Sequence, residues 1–313
     1  MRLGTRGSVL ARAQSGLIAA ALEDLHPGLK IDLNVIRTQG DRDLERPVEV
    51  LGGKTVFVRE IEKALQREEI DLAVHSLKDM AAELPEGLEL AAIPARVDPA
   101  DALVSPEGKG LEALPAGARI GTGSPRRTTQ LRLARQDLSC VPLRGNVDTR
   151  LRLMEEGKVQ AVILAVAGLK RLERLDGRAF RLETDSFIPA PGQGALGVET
   201  RCGSAASDLV RPLHDETSGR EVEAERALVR ALGGGCQMPL GALAKLERGR
   251  LTLRVFLSDL AAGHWMRDSE TGLASDPGSI ARRLAARLLS AGGTEILRGL
   301  GLTPPDPATL EGC

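Results

Sequence analysis

Two segments of this chain, Gly4-Thr5-Arg6-Gly7-Ser8 and Gly121-Thr122-Gly123-Ser124-Pro125-Arg126, put glycine, threonine, serine and arginine where a short apolar run hands over to an amphipathic one. Glycine permits a tight turn, and serine is a preferred first cap of a helix. Pro125 fits the first helical position, where no backbone N–H is needed. Both segments therefore read as strand-to-helix junctions, which is how a parallel sheet is built. The surrounding pattern agrees. Short β-branched or apolar runs at 33–38, 70–75 and 88–93 alternate with helical spacing at 57–67. After a linker at 96–101 a similar unit begins again, with strands at 118–122, 140–144 and 161–166 and helices at 124–135 and 147–156. Such alternation predicts α/β lobes with largely parallel sheets.

From about Glu216 the pattern changes. A helix over 220–232, strands at 241–246 and 251–257, a third around Trp265 and a helix over 279–290 predict a small α+β domain, followed by a disordered Pro-rich tail. The expected fold class is α/β: two α/β domains flanking a cleft plus a small α+β C-terminal domain. The expected boundaries are 1–95 with 195–214, 100–190 and 216–302, with 303–313 as the tail. Gly192-Gln193-Gly194 lacks the Lys-Ser/Thr ending of a phosphate loop and reads as a hinge where the chain returns from the second lobe to the first.

Composition narrows the function. At 313 residues the chain exceeds one ordinary core. A net charge of −1 argues against a general nucleic-acid binder, and an aromatic content of 2% removes the stacking platforms of single-strand binders. No apolar stretch reaches membrane-spanning length, and no export leader follows Met1. The cysteines at 140, 202, 236 and 313 lack metal-ligand spacing, so free thiols in a reducing cytoplasm are expected, with Cys140 and Cys202 structural.

Three features carry chemistry. Gly233-Gly234-Gly235-Cys236-Gln237-Met238-Pro239 has a composition that neither helix nor central strand tolerates, so it predicts an accessible turn presenting a thiol. His75-Ser76-Leu77-Lys78-Asp79 ends a strand with a base and an acid at its carboxyl end, where open α/β sheets bind ligands. Arg126, Arg127, Arg144 and Arg150 sit at loop–helix junctions. Helix starts and guanidinium forks both suit carboxylates or phosphates. Two lobes closing over a small anion also describe a non-catalytic receptor, but a receptor needs neither a glycine-flanked cysteine nor an acid beside it.

Seven segments, in order along the chain, resemble the porphobilinogen deaminase (hydroxymethylbilane synthase) family. They are Thr5-Arg6-Gly7-Ser8, Gly52-Gly53-Lys54, His75-Ser76-Leu77-Lys78-Asp79, Leu143-Arg144-Gly145-Asn146-Val147-Asp148-Thr149-Arg150, the run 163–171, Pro189-Ala190-Pro191-Gly192-Gln193-Gly194-Ala195 and Gly234-Gly235-Cys236-Gln237. The resemblance implies a monomeric cytoplasmic transferase whose first two domains are built like periplasmic binding proteins. Its activity would be the head-to-tail joining of four porphobilinogen molecules, with loss of ammonia, onto a dipyrromethane cofactor held by a thioether to Cys236.

The resemblance also assigns roles. Asp79 is the expected catalytic acid, steadying positive charge at the pyrrole nitrogens and moving protons. Cys236, Lys78, Lys54, Arg126, Arg127, Ser124 and Asp79 would hold the cofactor, and Arg6, Ser8, Arg144, Arg150 and Arg171 the substrate's acetate and propionate. No metal or nucleic acid is expected. The chain departs from the family at Gly123, which removes a hydroxyl donor, at Pro125, at Met80-Ala81 and at Arg12.

Overall fold

The computed structural model describes residues 1–42, 56, 58–234 and 238–311, organised as two compact units. The first comprises Met1–Val97 and Gly194–Gly219. Its sheet contains Arg2–Thr5 (β1), Asp32–Val35 (β2), Leu72–Ser76 (β3), Leu88–Ala92 (β4) and Leu196–Arg201 (β10), in the order β2-β1-β3-β10-β4. β1 runs parallel to both β2 and β3, while β10 is antiparallel to β3 and β4. β3 and β10 are buried along almost their whole length, and their buried polar side chains His75 and Glu199 meet each other there. Helix Val9–Leu25 covers one face through Ile18, Ala19 and Leu22, which join Leu3, Leu72, Val74 and Val198. Helix Arg59–Gln66 adds Ile61, Ala64 and Leu65 against Ile70, Ala73 and Leu88.

The second unit comprises Asp98–Gln193 and Arg220–Cys313. Its larger sheet is formed by Asp101–Val104 (β5), Arg119–Gly121 (β6), Ser139–Val141 (β7), Ala161–Ala165 (β8) and Ala179–Arg181 (β9), ordered β7-β6-β8-β5-β9. β6 is parallel to β7 and β8, and β5 is antiparallel to β8 and β9. The two five-stranded sheets thus share one pattern: three parallel strands with the first central, then an antiparallel strand, then an edge. Helices Pro125–Ala134 and Val147–Glu155 follow β6 and β7.

The rest of the second unit is an antiparallel sheet of Leu240–Glu247 (β11), Arg250–Ser258 (β12) and Trp265–Leu273 (β13), backed by helices Glu216–Ala231 and Pro277–Leu288. β13 alternates exposed and half-buried residues along its length, as an outer strand should. Sequence assigns this part to a separate domain, yet it packs on residues 98–193 within one unit. Phe256 and Leu243 bury with Ile188, the Ala242 N–H donates to the Pro189 carbonyl at 2.9 Å, and Arg132 Nη1 donates to the Leu260 carbonyl at 3.0 Å. Burying large apolar side chains such as Phe256 contributes roughly 1.5–3 kcal/mol each, enough to fuse two small layers.

Three expectations need correction. Asp101 does not end a linker but opens β5. The tail is not disordered over its described part, because Pro307–Glu311 is a short helix with Leu310 set against the core beneath Pro277–Leu288. Cys202 is exposed rather than structural, just past β10.

Candidate functional site

In the first unit, the residues singled out by sequence follow the carboxyl ends of neighbouring parallel strands. Beyond β1 the half-buried Arg6 precedes Ser8, whose hydroxyl accepts from the Ala11 N–H at 3.2 Å and caps the Val9–Leu25 helix. β3 passes directly into a single 3₁₀ turn, Leu77–Asp79, with Lys78 and Asp79 both half-buried. Gln14 on the helix exchanges hydrogen bonds with Ser76, at 2.9 and 3.2 Å, tying the two strand ends together. Leu77 is buried, and its N–H donates to the Ala195 carbonyl at 3.2 Å. A Cβ on Gly197 would come within 2.5 Å of the Leu77 side chain, so glycine there lets the turn lie flat on β10. His75, as expected, is structural: its Nε2 lies 3.0 Å from Glu199 Oε2, both side chains buried.

In the second unit all three parallel strands end in cations. After β6, Ser124 caps the Pro125–Ala134 helix and Pro125 occupies its first turn. A side chain at Gly123 would meet the Leu143 carbonyl oxygen at 2.8 Å, so the backbone itself excludes a serine at that position. After β7, the half-turn Leu143–Asn146 is shaped by Gly145 at φ 101°, a left-handed conformation in which a Cβ would also strike Thr149. Asn146 caps the next helix by accepting from the Thr149 N–H at 2.9 Å. Exposed Arg144 and half-buried Arg150 flank that turn, with Arg150 Nε donating to the Gly145 carbonyl at 3.0 Å. After β8, Arg171 ends helix Val166–Arg171, and burial pulls its guanidinium down to about 10.

Arg126 and Arg127 are the most informative pair. Sequence expects both to offer their guanidinium groups to a ligand. They are 4% and 6% exposed and share one fully buried carboxylate, Asp101. Arg127 donates through Nε at 3.1 Å and Nη2 at 2.6 Å to Asp101 Oδ1, and through Nη1 to the Ile163 carbonyl at 2.9 Å. Arg126 Nη2 lies 2.8 Å from Asp101 Oδ2, an ion pair off the hydrogen-bonding direction, and its Nη1 donates to the Ile188 carbonyl at 2.8 Å. Burial works to raise the Asp101 carboxyl, but the two adjacent guanidinium charges outweigh it and hold the group below the usual carboxylate range. Arg126 moves down for a different reason, burial first and the neighbouring Arg127 charge as well, only partly offset by Asp101.

Two cations against one anion leave this buried cluster with one positive charge in excess. Together with the Ser124-capped helix start, the donor set fits an incoming carboxylate. Asp101 and Gln193, both central to the cluster, were not singled out by sequence as site residues.

Two of the expected cofactor residues, Lys54 and Cys236, lie outside the described residues, as does Cys313. Burial raises the Cys140 thiol, which keeps it protonated and inert. Arg201, on β10, donates Nη1 to the Leu65 and Ile70 carbonyls at 2.6 and 2.9 Å and serves the sheet. Among the described residues no cluster of side chains could hold a metal ion, and no helix is long and apolar enough to cross a membrane.

Each unit contains an α/β sheet with cations near the carboxyl ends of its parallel strands, a donor set suited to carboxylates. Comparison with known proteins gives the family. Residues 1–208 match the model described as porphobilinogen deaminase, dipyromethane cofactor binding domain, and residues 220–290 match the porphobilinogen deaminase C-terminal domain. The chain is 47% identical over 298 residues to the porphobilinogen deaminase of Syntrophobacter fumaroxidans, covering 95% of this chain and 96% of that protein. It is 48% identical over 299 residues to that of a Roseiflexus species, covering 95% and 98%.

This chain belongs to the porphobilinogen deaminase family, the hydroxymethylbilane synthases, which are transferases of tetrapyrrole biosynthesis carrying a dipyrromethane cofactor. Among solved structures it is similar to the methionine binding protein MetQ, with a TM-score of 0.43 at 12% identity over 68% of this chain and 89% of that one.

Proposed function

We propose that this chain joins four porphobilinogen molecules head to tail, with loss of ammonia at each addition, and releases linear hydroxymethylbilane by hydrolysis. We place it in the cytoplasm as a monomer with three functional parts, 1–95 with 195–214, 100–190 and 216–302. The observation that carries the reading is the excess positive charge around Asp101, in a family whose substrate bears two carboxylates on every ring.

The division of labour follows from the residues. Ser124, Arg126 and Arg127, with Lys54 and Lys78, would hold the carboxylates of the cofactor. Arg6, Ser8, Arg144, Arg150 and Arg171 would hold those of the arriving substrate and the lengthening chain. A carboxylate gathered into such a site without a cation costs several kcal/mol, so cations at the ends of adjacent strands are what the chemistry requires.

Asp79 sits on the 3₁₀ turn at the end of β3, and its carboxylate would steady the positive charge that develops at the pyrrole nitrogens as ammonia leaves. It would also take up the proton released at coupling. Dipyrromethane attached through a thioether to Cys236 supplies the primer on which the chain is built. Loss of the cysteine should therefore abolish attachment without disturbing the rest of the fold.

The test is the intact mass of the denatured protein beside a Cys236→Ser variant. A covalent excess of two linked pyrrole units, absent from the variant, is the expected result. An unmodified mass that persists after incubation with porphobilinogen would overturn the reading.

A further inference from the structure

One buried polar chain in the second unit is not accounted for by ligand binding. Glu225 lies on helix Glu216–Ala231, eleven residues before Cys236 in the chain, and it is fully buried. Its two oxygens accept backbone N–H groups from different elements: Gly192 at 2.6 Å and Ala244 of β11 at 2.9 Å. The next residue, Gln193, is 1% exposed. Its amide nitrogen donates to the Pro99 carbonyl at 2.7 Å and to Asp101 Oδ1 at 2.9 Å. Asp101 then fixes Arg127 and Arg126. Gly192, at φ 70°, and Gly194, at φ 89°, hold this turn in a left-handed conformation that other residues resist.

We propose that Glu225 and Gln193 are positioning residues that couple helix Glu216–Ala231, which precedes Cys236 in the chain, to the Arg126/Arg127 pair. This inference rests on the proposed function. A continuous run of buried hydrogen bonds is a costly way to join two layers that apolar side chains already join through Phe256, Leu243 and Ile188. What the polar run adds is direction. Glu225 fixes the turn at Gly192, the turn aims the Gln193 amide, and the amide shares the Asp101 oxygen that orients Arg127. A displacement of helix Glu216–Ala231 is thereby transmitted to the guanidinium groups of Arg126 and Arg127. Misplacing a reacting group by about 1 Å can cost about 100-fold in rate, so a modest loosening of this run is readable in kinetics.

The experiment compares the parent enzyme with Gln193→Met, which conserves volume and removes both donations. It also includes Glu225→Gln, which replaces one acceptor oxygen by a donor, and the double variant. Each is scored for covalent adduct by intact mass, for melting temperature, and for kcat and KM per adduct-bearing molecule. The expected result is retained adduct in all three, with kcat lowered about 10-fold in each single variant. The double variant should be no slower than the worse single one, because both changes break the same run.

Parent-like kcat per loaded molecule, or losses in kcat that multiply to about 100-fold, would overturn the coupling and leave Glu225 and Gln193 as structural residues. If a variant does not accumulate as folded protein, Gln193→Asn takes its place. It keeps the amide but shortens its reach by one methylene, and the same kcat loss with retained adduct is required of it. An absent adduct in the parent enzyme would instead defeat the proposed function, so the two failures are distinct.

Discussion

Replacing Asp101 by asparagine keeps the volume of the side chain and removes the charge that two buried guanidinium groups share. The arginines stay buried, because Arg126 and Arg127 are also held by the carbonyls of Ile188 and Ile163. Removing one partner of a buried ion pair costs about 3–5 kcal/mol, chiefly through the uncompensated charge left behind. The loss falls on the unit formed by Asp98–Gln193 and Arg220–Cys313. For a unit of that size each kcal/mol moves the melting temperature by about 2–4 °C, so Asp101→Asn should melt about 10 °C below the parent. Calorimetry at pH 7 on the cofactor-loaded protein measures this.

The pH dependence supplies a second signature. Because the folded-state pKa of Asp101 is depressed, its contribution is complete above the unfolded carboxyl value of about 3.9. It declines as pH falls from there toward the folded value. The gap between parent and variant should therefore stay constant from pH 7 to about pH 5 and close in stronger acid. A variant melting within about 2 °C of the parent at pH 7 would refute the claim that one carboxylate is the shared counterion of both arginines.

Other outcomes follow from the same geometry. Asp79→Asn should retain the covalent adduct yet lower kcat by roughly 100-fold or more, as loss of a proton-transferring group does, measured by product formation per loaded molecule. Ser8→Ala removes the cap of helix Val9–Leu25 and should cost about 1 kcal/mol by denaturant titration. Gly241→Ala would set a methyl carbon 2.7 Å from the Ile188 carbonyl, the acceptor of Arg126. It should destabilise by about 1–3 kcal/mol in the same titration and raise KM for porphobilinogen.

Local structure around the candidate site was legible because local rules govern it. Ser124 caps and Pro125 starts the helix where sequence places them, and Asn146 and Gly145 shape the next turn through their own backbone needs. A strand was expected just before Cys202, where β10 lies, but β5 was not recognised, since so short an apolar stretch lacks a periodicity that separates strand from buried loop. Their antiparallel places in the two sheets depend on partners far along the chain: Val198 lies opposite Val74, and Leu103 opposite Ile163.

The sequence by itself determined the strand-to-helix junctions, the caps, the cations at those junctions and the family to which they belong. Each depends on residues within a few positions of one another. Only the tertiary structure decided which charge each arginine meets. Asp101 lies 26 positions from Arg127 and 92 from Gln193, and Glu225 lies 33 from Gly192. A carboxylate at the end of a polar stretch such as 96–101 is solvated by default. It becomes the counterion of two guanidinium groups only in the folded unit, where β5 is paired with β8 and all three side chains are buried away from water.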